Sequence, residues 1–112
     1  MNKYIVIYHA TAEFMSAMAG MTPEQMAEGM KPWGVWAEAC GDGLIDMGTP
    51  LAGGLKLSSE GSSPSDREVT GYSIIQAENM TAAEAMMQGH PHLGMAASCS
   101  IEIHEAMPLP GM

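Results

Sequence analysis

The elements of this 112-residue chain read in the order β-α-β-β-α-β. That order predicts an α+β domain of the ferredoxin-like, split βαβ kind: one four-stranded antiparallel sheet with both helices on one face. Three observations carry the reading. Short β-branched and aromatic runs stand near both ends of the chain and twice between them. Two threonine-led helix starts separate the first run from the second and the third from the fourth. The last run alternates isoleucine with polar residues, as a strand with one covered side requires.

The first strand is Tyr4 to Tyr8, a run with no breaker. Residues 10–21 are rich in Ala and Met and show no strand pattern. The first helix starts at Thr22-Pro23-Glu24-Gln25: Thr22 caps, Pro23 suits the first helical position and Gln25 completes a capping box. Met21 and Met26 stand where a hydrophobic staple would place them. The apolar stripe Met26, Met30, Trp33, Ala37, Cys40 keeps a helical period. Pro32, flanked by Gly29 and Gly34, predicts a kink or restart near Lys31, and Gly41 and Gly43 predict the stop. The second strand is Leu44 to Met47. Residues 52–68 are Gly-, Ser- and Pro-rich and read as a long, flexible hairpin connection. Leu55-Lys56-Leu57 is open to reading as a short strand there, and Ser58 to Asp66 reads as a solvated loop. The third strand is Val69 to Ala77. Thr81-Ala82-Ala83-Glu84 reads as a second capping box, opening a helix that runs to Gln88 and stops at Gly89 before Pro91. The fourth strand is Cys99 to Glu105, and residues 107–112, with two prolines, read as an extended arm.

The whole chain, 1–112, is one domain's worth of sequence. It carries 4 Lys+Arg against 13 Asp+Glu, a formal charge of −9, which leaves no basic patch for nucleic acid or for an anionic membrane surface. Hydrophobic residues make up 46% and charged residues 15%, which argues against disorder. No run approaches the roughly 20 apolar residues of a membrane span. Cys40 and Cys99 make no disulfide framework and read as small buried residues, so a cytoplasmic setting is expected. The 13 methionines raise a soft-metal reading through Met15, Met18 and Met21. Core filling is the simpler account, and neither a metal nor another cofactor is expected. A four-stranded sheet with helices on one side leaves its other face bare, and a two-fold homodimer is the expected remedy.

Four segments resemble the YCII-related family, which includes the DGPF-domain proteins of the dimeric α+β barrel superfamily. They are Lys3-Tyr4-Ile5-Val6-Ile7-Tyr8, the block from Gly43 to Leu51, the strand Gly71 to Ala77, and Gly89-His90-Pro91-His92-Leu93 followed by Ser100-Ile101-Glu102-Ile103. The Asp-Gly-Pro-Phe signature is absent; residues 63–71 stand where it would fall, so the chain resembles a divergent member. The resemblance implies a homodimer whose two sheets enclose a barrel-like cavity.

In the fourth strand Ile101 and Ile103 share one side, and Glu102 and His104 the other, which a dimer would enclose. A carboxylate beside an imidazole in such a cavity is a general acid–base pair; the alternative is a contact between subunits. His90 closes the second helix, where it either caps the last carbonyls or serves as a catalytic base. The family has a His-Pro pair at this place, which makes His90 the first histidine to test. His92 reads as a loop residue. Asp46 ends the second strand, either pairing with a histidine to set its tautomer or turning to solvent. Tyr8 and His9 end the first strand on opposite sides, and either could reach a cavity mouth. Trp33 and Trp36 lie on one side of the first helix, as core or as the aromatic wall of a ligand pocket.

Two function classes stay open. One is a cofactor-independent small-molecule enzyme of isomerase or lyase type, with His90, Glu102, His104 and Asp46 as acid–base groups. The other is a non-catalytic module for a small ligand or for dimerisation. The enzyme reading requires at least two of those side chains to converge on a common point.

Overall fold

The computed structural model describes residues 1–111. In chain order the elements are β1 (Asn2–His9), α1 (Ala12–Ala19), α2 (Pro23–Cys40), β2 (Leu44–Asp46), β3 (Leu55–Ser58), β4 (Gly61–Pro64), β5 (Val69–Ala77), α3 (Met80–Ala85), α4 (Pro91–Met95) and β6 (Ser100–Glu105). A 3-10 turn over Gly41–Gly43 links α2 to β2. The chain is α+β, with a four-stranded antiparallel sheet in the order β2-β5-β1-β6 and a separate β3-β4 hairpin.

Register explains the core. Tyr4 stands opposite Ile75 and Val6 opposite Ser73 on β5, while Val6 and Tyr8 stand opposite Ile103 and Ile101 on β6. Side chains alternate along a strand, so these residues share one side. Trp36 and Ala37 of α2 and Ala83 of α3 pack onto that side, and we call it the covered face. Tyr4, Val6 and Ile75 are fully buried there. Each apolar side chain so buried contributes roughly 1.5–3 kcal/mol. Ile5, Ile7 and Ile74 lie on the opposite, open face and are only half-buried.

Several local expectations are corrected. Residues 10–21 contain a helix, α1, capped by the Thr11 hydroxyl, which accepts from the Phe14 N–H at 3.2 Å. α2 runs unbroken through Pro32, with no restart near Lys31. The helix survives the proline because both halves are anchored. Thr22 and Gln25 form the full capping box at its start, and Trp36 is buried after the proline with its indole N–H donating to the Met86 carbonyl at 2.9 Å. The first half of the apolar stripe is not core: Met26 and Met30 are about half exposed. The loop read at Ser58 to Asp66 contains β4, which pairs with β3 although its sequence is Gly-Ser-Ser-Pro. Ladder hydrogen bonds depend on backbone groups, so a polar strand can form where a partner lies alongside.

The second helix begins at Asn79 rather than at Thr81. Asn79 holds an extended backbone and its side-chain oxygen accepts from the Ala82 N–H at 2.8 Å, so helix α3 is shifted toward the N-terminus and ends at Ala85, not Gln88. Residues 106–109 form neither helix nor strand, although the Ala106 N–H still donates to the Lys3 carbonyl at 2.8 Å. Met112, the end of the expected arm, lies outside the described residues. No described helix is long and apolar enough to cross a membrane.

Candidate functional site

Strands β1 and β5 carry Tyr8 and Ser73 onto the covered face, and the chain between α3 and α4 drops His90 onto them. Pro91 is the reason for that placement. It reads in the sequence as a helix stop, but it stands at the first turn of α4, where its missing N–H is harmless. His90 is therefore the N-cap of α4, not the C-cap of the preceding helix: its Nδ1 accepts from the His92 backbone N–H at 3.0 Å.

That bond determines where every proton in the cluster sits. With Nδ1 accepting, the His90 proton is on Nε2, which donates to the Tyr8 hydroxyl at 3.1 Å. The Ser73 hydroxyl donates its only proton to the Met47 carbonyl at 2.6 Å. Tyr8 must then donate to Ser73, at 2.7 Å. The chain runs His90 to Tyr8 to Ser73 to Met47 in one direction and ends on an acceptor. Three aromatic rings enclose His90, with centroids 4.4 Å away for Trp36, 4.6 Å for Trp33 and 5.1 Å for Tyr8. Burial, with a smaller contribution from neighbouring His92, pushes its pKa down to about 4. Burial likewise pushes Tyr8 up to about 12 despite its bond to Ser73. Neither group changes charge near neutral pH.

Beside this chain, at the Tyr8 end of the covered face, lies a cavity of about 240 Å³. Five methionines line it: Met15 and Met18 of α1, Met30 of α2, Met47 after β2, and Met95 of α4. Phe14, Trp33, Tyr8 and Tyr72 supply aromatic wall, and Trp33 stands edge-on to Tyr8 at 5.1 Å and 88°. The rim after β2 is held against β5 by a close approach: Gly48 has φ +80°, and a Cβ there would lie 1.7 Å from the Tyr72 carbonyl oxygen. Only glycine fits that backbone. His92 also lines the cavity and is 4% exposed. Its Nε2 donates to the His9 carbonyl at 2.9 Å, since a carbonyl can only accept.

The open face carries a second cluster. Glu102 accepts from His104 Nε2 at 3.1 Å and lies 3.5 Å from His9 Nε2. His9 Nδ1 donates to the Arg67 carbonyl at 2.8 Å, so neutral His9 presents a bare Nε2 toward Glu102. That atom is buried without a hydrogen-bond partner. The hydrogen bond from His104 and the nearby His9 hold the Glu102 carboxyl below the usual carboxylate range.

The candidate residues thus fall into three places. Tyr8, Trp33, Trp36 and His90 meet on the covered face; Trp33 lines the cavity, while Trp36 belongs to the core. His9, Glu102 and His104 meet on the open face, with Glu102 and His104 exposed. Asp46 stands on β2, the edge opposite β6, and pairs with no histidine: its Oδ1 accepts from the Gly48 N–H at 2.8 Å and its Oδ2 from the Tyr72 hydroxyl at 3.4 Å. The four expected acid–base groups do not converge on one point within the chain. Sequence reasoning passed over Ser73, took His92 as a loop residue, and read the methionines as an adaptable core that could also line a pocket. The signal for Ser73 was available: it shares the covered side of β5 with Ile75 and Ala77, where a lone hydroxyl needs a partner. Burial pushes the Cys40 and Cys99 thiols up, so neither is an activated nucleophile. Among the described residues no group of three or more His, Cys, Asp or Glu could hold a metal ion. No protein-family model matches the chain, and no curated protein matches it.

Proposed function

We propose that this protein binds a small, mainly apolar molecule in the methionine-lined cavity, without acid–base chemistry on it. The observation that carries this reading is the lining itself. On a chain with 13 acidic residues, no charged side chain among the described residues lines the cavity, while five thioethers and four aromatic rings (Tyr8, Phe14, Trp33 and Tyr72) do. Apolar walls with a few fixed polar groups are what small-ligand sites consist of. The test is thermal unfolding with naphthalene. Occupancy at 100 times the Kd contributes about 2.7 kcal/mol, so the unfolding midpoint should rise by several degrees. Met18→Glu, which brings a carboxylate into the wall, should abolish that rise. An unchanged midpoint at saturation with naphthalene overturns the reading.

The enzyme reading, a cofactor-independent isomerase or lyase, has support of its own from the pairing of Glu102 with His104 and His9. Glu102 and His104 are open to water in one chain, and a second copy covering Ile5, Ile7 and Ile74 would enclose them. The strand order β2-β5-β1-β6 supports a ferredoxin-like arrangement once the β3-β4 hairpin is set aside, with α2 between β1 and β2 and α3 between β5 and β6. That arrangement, together with the four sequence segments, supports reading the chain as one half of a YCII-related homodimer forming a dimeric α+β barrel. Sedimentation equilibrium tests it: a monomer mass at micromolar concentration removes the enclosed site and this second reading with it.

A further inference from the structure

We propose that the cavity selects an uncharged, planar molecule of about ten non-hydrogen atoms carrying one hydroxyl or N–H donor, which is bound by Nδ1 of His92. The inference rests on the cavity-binding reading above and adds the ligand's class to it.

Size comes first. An apolar cavity of about 150 Å³ accommodates one benzene ring, so about 240 Å³ suits a bicyclic one. Shape and surface follow from the walls. Trp33 and Tyr8 meet nearly at right angles, making a corner with two flat sides. Methionine sulfur favours contact with aromatic rings, and its unbranched side chain adapts to the ring's outline. Charge is disfavoured because no charged side chain among the described residues lines the space, so an ion bound there would give up part of its hydration without a counter-charge.

The donor requirement comes from His92. Its proton is committed to Nε2 by the His9 carbonyl, which leaves a lone pair on Nδ1. Nδ1 has no hydrogen-bond partner among the described residues, on a ring that is almost wholly buried and lines the cavity. The Tyr8, Thr70 and Tyr72 hydroxyls have already committed their protons, so none of them offers one to a ligand. The Tyr8 hydroxyl accepts from His90 and donates to Ser73. Thr70 donates to the Tyr8 carbonyl and Tyr72 to Asp46. The Thr49 hydroxyl at the rim can donate or accept and does not discriminate. An acceptor with a fixed tautomer, set in an apolar wall, distinguishes a ligand that brings a proton from one that does not.

The experiment is an NMR titration of the full chain labelled with ¹³C at the methionine methyls, using 2-naphthol, naphthalene and 2-naphthoate as probes. 2-Naphthol should shift the methyls of Met15, Met18, Met30, Met47 and Met95, while core Met87 and distant Met107 stay in place. Its affinity should exceed that of naphthalene by several-fold, up to about tenfold, and that of 2-naphthoate by more than tenfold. In His92→Phe the two neutral probes should bind equally. Equal affinity of 2-naphthol and naphthalene for the unaltered protein, or 2-naphthoate binding as well as 2-naphthol, overturns the proposal, and that comparison needs no variant to fold. If neither neutral probe shifts the five methyls, the cavity-binding reading fails as well.

Discussion

The two faces of the sheet give a histidine's second nitrogen opposite surroundings. On the covered face His90 and His92 each have one nitrogen committed by a backbone group: His90 Nδ1 accepts from an N–H, and His92 Nε2 donates to a carbonyl. Their tautomers are set by the main chain. On the open face His9 is likewise fixed on one side by a backbone carbonyl, that of Arg67, but its other nitrogen faces a carboxylate that already receives a bond from His104. The difference teaches that a histidine's role follows from what its second nitrogen meets, not from its distance to an acidic residue.

The sharpest way to break this contrast is to remove His90. His90→Leu leaves the buried His92 N–H and the Tyr8 hydroxyl each short of a partner, and should cost about 3 kcal/mol in denaturant unfolding. His90→Asn keeps an acceptor in the position of Nδ1, retains the cap and should cost less. The same residue sets an acid sensitivity. In the unfolded chain His90 takes a proton near its ordinary 6.5, and in the fold only near 4. Its contribution is present above pH 6.5 and is lost as pH falls toward 4. Unfolding midpoints measured across that window should decline in the native protein and decline less in His90→Asn.

Tyr8→Phe comes next. It strands the His90 Nε2–H and frees Ser73, at a cost of about 2 kcal/mol. Tyr4 offers a control on the same strand and the same side. Its hydroxyl is buried with no partner, so Tyr4→Phe should be neutral or stabilise by about 1 kcal/mol. Opposite signs for the same chemical change, four residues apart, would sharpen the comparison; equal costs would dissolve it. Smallest of all, Glu102→Gln on the exposed open face should leave the unfolding midpoint unchanged.

Much of the fold was legible. β1 and β5 followed from β-branched content, α2 from its capping box, and the two sides of β6 from alternation. What was not legible has identifiable causes. Pro91 reads equally as the end of one helix and the first turn of the next, and that ambiguity hid α4 and with it the role of His90. Asn79 and Thr81 are both competent caps, and the backbone chose Asn79. α1 is short and has no buried residue, so no strong apolar stripe announced it. The site was harder still. Tyr8 meets Ser73 and His90 across 65 and 82 residues of chain, and His92 meets His9 across 83. Local pattern cannot contain such pairs; they follow only from strand register and from the direction in which α4 leaves its cap.

The methionine wall has a consequence for the protein's life in an oxidising environment. Met15 and Met30 are partly open to solvent while also facing the cavity. Oxidation of either would turn an apolar, adaptable side chain into a sulfoxide with a strong dipole and a new stereocentre. The proposed site would then lose its apolar character while the core, built on Tyr4, Val6, Ile75 and Trp36, kept its packing. Because reductases reverse that lesion, occupancy would be lost and regained with the fold intact throughout.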